Sequence, residues 1–111
     1  MPKGTFLLWA TVIDWIDGDT FHGYIDQGFE RYYGSVDHPI RCRMALINAP
    51  ELGKPGGDEA KGYAAMIAPP GDYQCISYKP DNYGRPLVDL MLTAGPFSRI
   101  MLASGYALPY R

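Results

Sequence analysis

The sequence predicts a mainly β, α+β fold: a five-stranded barrel with two short helices. Three observations support it. Runs rich in Val, Ile, Trp and Thr are separated by Gly, Pro and Asp, as in strands joined by turns. In residues 40–47, apolar side chains recur at every second position and two arginines lie between them, as in a strand with one buried face. Two further segments carry helix start and stop signals.

The first two predicted strands form a hairpin. Residues 5–16 predict a long strand, and Asp17-Gly18 predicts a two-residue turn. The return strand is expected over residues 19–26. Residues 27–39 are polar and contain glycine, so they predict a long loop.

The third predicted strand covers residues 40–47. Because side chains alternate across a strand, Arg41 and Arg43 are expected on one side of the sheet. The apolar side chains expected on the other side are Ile40, Cys42, Met44 and Leu46.

The remaining elements complete the barrel. A helix is predicted over residues 58–68, ended by Pro69-Pro70, with Ala60, Tyr63, Ala64 and Ile67 as its apolar stripe. Strands are expected over residues 73–78 and 85–92, with a turn between them. A second helix opens at Gly95-Pro96 and stops at Gly105. A five-stranded barrel with a helix between strands three and four matches the OB-fold, so residues 1–111 are expected to form one domain.

Composition limits the classes of function. Hydrophobic residues make up 47% of the 111 residues and the formal net charge is −2. The negative balance disfavours a high-affinity nucleic-acid binder, whereas an enzyme needs only local positive charge. No apolar run is long enough to cross a membrane, so no membrane partner is expected. The N-terminus does not resemble a signal peptide, which indicates a cytoplasmic or other intracellular location.

The cysteines and histidines suggest no metal motif. Cys42 and Cys75 fall in predicted strands, where they are either small buried hydrophobic residues or a disulfide between neighbouring strands. Their spacing fits no zinc motif, and His22 and His38 are sixteen residues apart.

Three motifs stand at predicted strand ends or turns: residues 16–20 (Ile-Asp-Gly-Asp-Thr), residues 43–51 (Arg-Met-Ala-Leu-Ile-Asn-Ala-Pro-Glu) and residues 81–85 (Asp-Asn-Tyr-Gly-Arg). In this order they resemble the staphylococcal nuclease (thermonuclease) family. The resemblance runs from about Ala10 to Tyr110, nearly the whole chain.

The resemblance implies a metal site for Ca²⁺, with Mn²⁺ or Mg²⁺ as alternatives. Its ligands would be the Asp19 carboxylate, the Asn48 amide oxygen and the Ala49 carbonyl. The family usually has an aspartate where this chain has Asn48, so the site carries one negative charge fewer and weaker metal affinity is expected. The structural alternative is that Asp17 and Asp19 only accept hydrogen bonds from turn amides.

The resemblance also implies three catalytic residues. Glu51 would act as general base or orient the attacking water, while Arg43 and Arg85 would grip the scissile phosphate. Each has a structural alternative. Glu51 would be a solvated loop residue, Arg43 a cover for an open sheet face, and Arg85 a charge at a strand edge.

Substrate contacts are implied for Tyr83, Tyr110 and Asn82. The two tyrosines match regions that line the nucleotide pocket in the family, and base stacking contributes ~1–3 kcal/mol per base. Asn82 replaces a basic residue common in the family, so one phosphate contact is expected to be weaker. Most of the nine tyrosines are expected in the core or at its rim.

Two functions follow as hypotheses. The first is a metal-dependent nuclease that hydrolyses DNA and RNA with little sequence specificity. The second is an OB-fold binding module for nucleic acid or protein that has lost efficient hydrolysis. The sequence leaves open whether the protein is a monomer or a homodimer.

Overall fold

The computed structural model describes residues 6–28, 31–80 and 84–110. Its strands are β1 (Phe6–Asp17), β2 (Thr20–Gly28), β3 (Arg31–Tyr33), β4 (Ile40–Met44), β5 (Ile47–Asn48), β6 (Gly71–Tyr78), β7 (Leu87–Leu92), β8 (Gly95–Pro96) and β9 (Leu108–Pro109). Its helices are α1 (Gly57–Ile67) and α2 (Phe97–Ala103). Within these ranges the structure has the predicted order of long strands and helices, and it adds four short strands: β3, β5, β8 and β9.

Five strands of the described chain close into a barrel. β1 pairs antiparallel with β2 on one side and with β6 on the other, while β6 pairs with β7 and β2 with β4. The ring closes where β4 runs parallel to β7, with Arg43 opposite Leu87. The predicted mainly β class, an OB-fold-like barrel with two short helices, is confirmed.

The turn between β1 and β2 lies one residue later than predicted. Asp17 pairs with Thr20, so the two turn residues are Gly18 and Asp19 rather than Asp17 and Gly18. The shift takes Asp19 out of the strand ladder. Its carboxylate is then able to accept hydrogen bonds from other parts of the chain.

The third long strand is shorter than predicted, and the predicted inward position of Leu46 was wrong. β4 ends at Met44, and Leu46 has a φ of 72° and is 53% exposed. This bend breaks the strand alternation, so Ile47 is buried instead and begins β5, which pairs with β9. The other three predicted inward residues are consistent with the structure: Cys42 and Met44 are buried and Ile40 packs against the core.

The segment predicted as a loop over residues 27–39 contains a strand. β3 pairs with β2 through Ile25–Tyr33 and Asp26–Tyr32. All three of its residues are exposed, so it has no buried face whose pattern would have predicted a strand.

The barrel interior holds both cysteines as thiols. Cys42 and Cys75 are free and fully buried, so the disulfide alternative was wrong and the hydrophobic alternative is confirmed. Burial raises the pKa of each thiol to about 12, which keeps both uncharged at neutral pH.

Helix α1 is fastened to the first hairpin at both ends. Ala60 and Ala64 of the predicted stripe are fully buried, and the indole nitrogen of Trp15 donates a 2.8 Å hydrogen bond to the Ala68 carbonyl after the helix. At the other end, a Cβ added to Gly18 would lie 2.8 Å from the Ala60 Cβ. The turn therefore needs glycine because the helix approaches it closely.

Helix α2 is held by a buried carboxylate. Asp89 of β7 accepts a 2.9 Å hydrogen bond from the Ser98 backbone N–H and a 2.6 Å hydrogen bond from the Ser98 hydroxyl. Burial raises the pKa of Asp89, and these two hydrogen bonds oppose that rise only in part. Among the described residues, no helix is long and apolar enough to span a bilayer.

We expect Gly18→Ala to destabilise the fold by about 1–3 kcal/mol, because the new methyl group would overpack against Ala60. Gly62→Ala is the matched control, because a Cβ there meets nothing within 4 Å and alanine favours a helix. Urea unfolding followed by tryptophan fluorescence compares both variants with the wild type. Equal stability of Gly18→Ala and the wild type would contradict the close approach.

We expect the stability of the wild type to fall relative to Asp89→Asn as the pH rises above the ordinary pKa of an aspartate, about 3.9. The folded pKa of Asp89 lies above the unfolded value, so the stabilising protonated form is present at low pH and is lost as the pH rises through the folded pKa. Urea unfolding at several pH values tests this, with the exposed Asp37→Asn as control. Parallel pH profiles of wild type and Asp89→Asn would refute it.

Candidate active site

The Asp19 carboxylate lies at the centre of a polar cluster at one end of the barrel. It is only 6% exposed. Its Oδ2 accepts a 2.7 Å hydrogen bond from the Ala49 backbone N–H, and its Oδ1 accepts a 3.0 Å hydrogen bond from the Thr20 hydroxyl. Asp19 therefore ties the first hairpin to the segment that follows β5.

The Arg43 guanidinium contacts three oxygen atoms of this cluster. Its NH1 lies 3.2 Å from Asp19 Oδ2, and its NH2 donates to the Ile47 carbonyl and to Asn48 Oδ1, both at 3.3 Å. The side chains of Arg43 and Asp19 are 12% and 8% exposed, so this is a largely buried ion pair. NH1 is close enough to Asp19 for an ion pair, yet among the described residues it has no acceptor in line for a hydrogen bond.

Tyr110 covers the guanidinium from the solvent side. Its ring centroid lies 5.3 Å from the Arg43 Cζ, a cation–π contact, while 62% of the residue remains exposed. The short β5–β9 sheet and a 3.0 Å hydrogen bond from the Tyr110 N–H to the Leu46 carbonyl bring the tyrosine there. Tyr110, predicted to contact substrate, thus lies in the same cluster as Arg43.

Glu51 lies in a segment anchored to the β1–β2 turn at two points. Before it, the Ala49 N–H donates to Asp19, and after it, the Leu52 N–H donates to Asp17 Oδ1 at 2.9 Å. Glu51 itself is exposed. Its backbone is therefore fixed beside the turn, and its carboxylate is accessible to water.

The third motif is only partly described. Asn82 and Tyr83 lie outside the described residues. Arg85 is half-buried and takes part in an interaction within the structure. Its neighbour Pro86 accepts a 2.9 Å hydrogen bond from the Arg43 backbone N–H, so the start of β7 runs beside Arg43.

The oxygen atoms near Arg43 are the hard donors that a divalent cation prefers: the Asp19 carboxylate and the Asn48 amide oxygen. Within the described ranges, no group of three or more His, Cys, Asp or Glu side chains is placed to hold a metal ion. A cation here would therefore depend on one carboxylate together with amide and backbone oxygens.

A cleft of about 410 Å³ borders Asn48. It is lined by two segments, residues 48–50 and residues 105–108. Its volume is in the range of small-molecule sites.

The chain matches no protein-family model and no curated protein. The similarity of its three motifs to the staphylococcal nuclease family therefore stays a prediction from the sequence.

Two members of the cluster were missed by the sequence analysis. The Ile47 carbonyl has no side-chain signal, so nothing in the sequence would have indicated it. Thr20 follows Asp19 directly in the first motif, and its hydroxyl at that position was a usable signal. The structural alternative was that Asp17 and Asp19 accept hydrogen bonds only from turn amides. Asp17 Oδ1 accepts a hydrogen bond from the Leu52 N–H, which is remote in the chain.

We expect Asp19→Asn to lower the free energy of unfolding by about 3–5 kcal/mol, because it leaves a largely buried guanidinium without a countercharge. The double variant Asp19→Asn/Arg43→Met should recover part of this loss, because the unpaired charge is gone. A double-mutant cycle from urea unfolding measures the coupling.

The control for this cycle is the exposed contact of Asp14 Oδ1 with His22 Nδ1, which lie 3.2 Å apart. Asp14→Asn should cost no more than about 1 kcal/mol, because solvent screens an exposed pair. If Asp19→Asn lowers the free energy of unfolding no more than Asp14→Asn does, the buried ion pair stabilises the fold no more than the exposed contact.

Proposed function

We propose that the protein is a small nuclease that hydrolyses phosphodiester bonds of DNA and RNA with the help of a hard divalent cation. The observation that supports this proposal best is the meeting of Asp19, Arg43 and Asn48 in one cluster. Asp19 is remote in the sequence from the other two, and the family resemblance assigns each of the three a role at the site.

The arginines are suited to the charge of the substrate. A planar guanidinium presents several donors that match phosphate oxygens, and charge on those oxygens develops during phosphoryl transfer. Arg43 NH1, which has no aligned acceptor within the described part of the chain, is a donor that an incoming phosphate oxygen would satisfy. Arg85, two residues before β7, would supply the second guanidinium.

Glu51 would supply the base. Its carboxylate is exposed and follows directly on the segment that Asp19 anchors, so it would act on a water held beside the cluster. It would accept the proton of that water as the water oxygen attacks phosphorus. The cleft beside Asn48 offers room for the nucleoside next to the scissile phosphate.

The oxygen atoms of the cluster are of the type that a hard cation prefers, but they are too few to complete its coordination. Asp19 and Asn48 would hold the ion, with the Ala49 carbonyl as the third expected ligand, whereas Ca²⁺ takes about 6–8 oxygens. The ion would polarise the phosphoryl oxygen. Water and substrate oxygens would have to fill the remaining positions, so weak cation affinity in the absence of substrate is expected.

A specific observation favours the second candidate function, a module that binds nucleic acid or protein without cleaving. Arg43 already neutralises Asp19, the cluster's one carboxylate. A divalent ion about 4 Å from the guanidinium would be repelled by ~8 kcal/mol at an effective dielectric constant of 20, twice the value for two unit charges. Unless Arg43 moves, this repulsion disfavours a bound metal.

We expect Glu51→Gln to keep the fold and lose about 10²–10⁴-fold of the turnover, because the amide cannot accept the proton. Digestion of denatured DNA with Ca²⁺, and with EDTA instead, measures it. Glu59→Gln, an exposed acid in the first turn of α1, is the matched control and should keep wild-type turnover.

The same samples distinguish the two functions. If the wild type digests DNA no faster than Glu51→Gln, the hydrolytic proposal fails. Binding of a labelled single strand, measured by fluorescence anisotropy without cleavage, would then support the binding module.

A further inference from the structure

We infer that the Arg43 guanidinium and a divalent cation compete for the same oxygen atoms, so that binding of the cation releases the arginine towards the substrate. The inference rests on the proposed function for the kind of ligand. The competition itself follows from the contacts of Arg43.

The first step is that the guanidinium already lies between the oxygens that a cation would use. Arg43 NH1 lies 3.2 Å from Asp19 Oδ2, which also accepts the Ala49 N–H. Arg43 NH2 lies 3.3 Å from the Asn48 amide oxygen. A cation bound to both of these oxygens, at the ~2.4 Å of a calcium bond, would have to take the space that the guanidinium occupies.

The second step is that the arginine is held loosely for so buried a group. Its two hydrogen bonds, at 3.3 Å, are longer than the usual range of about 2.7–3.2 Å. NH1 has no aligned acceptor among the described residues. A cation that neutralises Asp19 therefore takes from Arg43 its strongest contact and leaves only long ones.

The third step is that a released guanidinium has a way out. The Tyr110 ring covers it, and that residue is 62% exposed, so the cover is not part of the core. Arg43 also shares its side of β4 with the exposed Arg41, two residues earlier. The released side chain would join Arg41 on the solvent side, where a phosphate can reach it.

The consequence is coupling between two ligands. Cation binding makes the guanidinium available to phosphate, and phosphate binding to Arg43 clears the oxygens for the cation. By linkage, each ligand must then increase the affinity for the other by the same factor.

The test is calorimetric titration of Ca²⁺ into the nucleic-acid-free protein. Arg43→Met should tighten Ca²⁺ binding by at least about tenfold, because it removes the competitor and its charge. Arg41→Met is the matched control: it removes the same charge from the same side of the same strand, away from the oxygens. It should change the affinity by less than about threefold.

A second variant keeps the test valid if Arg43→Met fails to fold, since that substitution leaves Asp19 without a countercharge. Tyr110→Leu keeps every charge and removes only the cover. It should tighten Ca²⁺ binding by about two- to fivefold, the equivalent of one exposed cation–π contact. Tyr110→Phe keeps the ring and should match the wild type.

Equal or weaker Ca²⁺ affinity in both Arg43→Met and Tyr110→Leu would overturn the inference, as would the absence of Ca²⁺ binding in all of these proteins. These outcomes are separable from failure of the proposed function. Tighter binding in Arg43→Met together with full turnover in Glu51→Gln would keep the competition and reject hydrolysis through Glu51. The reverse pair of results would keep hydrolysis and reject the competition.

Discussion

The architecture of the candidate site depends on a single buried carboxylate, that of Asp19. It accepts hydrogen bonds from Ala49 and Thr20 and faces the Arg43 guanidinium, so three separate segments meet on two oxygen atoms. A carboxylate is stable in such a place only when its charge is compensated and its oxygens are hydrogen-bonded. The turn residue Gly18 and helix α1 keep it there, because Gly18 packs closely against Ala60.

On the proposed function, the partner of this carboxylate serves stability and activity in opposite ways. Arg43 neutralises Asp19 and so stabilises the end of the barrel, but it also contacts the oxygens that a cation would use. A group that stabilises the ligand-free protein would then have to be displaced before a cation could bind. Such a conflict between stability and activity is common where a functional site is built into a folded core.

Part of the fold could be predicted because local patterns encode it. The long strands, the apolar stripe of α1 and the inward position of Cys42 follow from periodicity, which requires no knowledge of the partner. The strand β3 and the exposure of Leu46 could not be predicted. An exposed strand such as β3 has no buried face whose pattern could indicate it. The bend at Leu46 allows β5 to pair with β9, which lies some sixty residues away in the chain.

The sequence by itself determined which chemical groups stand at strand ends and turns: a carboxylate at 19, an amide at 48, a glutamate at 51 and two arginines. It determined this because turn and strand-end signals are local. Only the tertiary structure decided which of these groups meet, and in particular that Asp19 forms an ion pair with Arg43. The pairing of β2 with β4 sets Thr20 opposite Arg43 and so brings Asp19 beside the guanidinium. Contacts between remote residues of this kind depend on the packing of the whole chain.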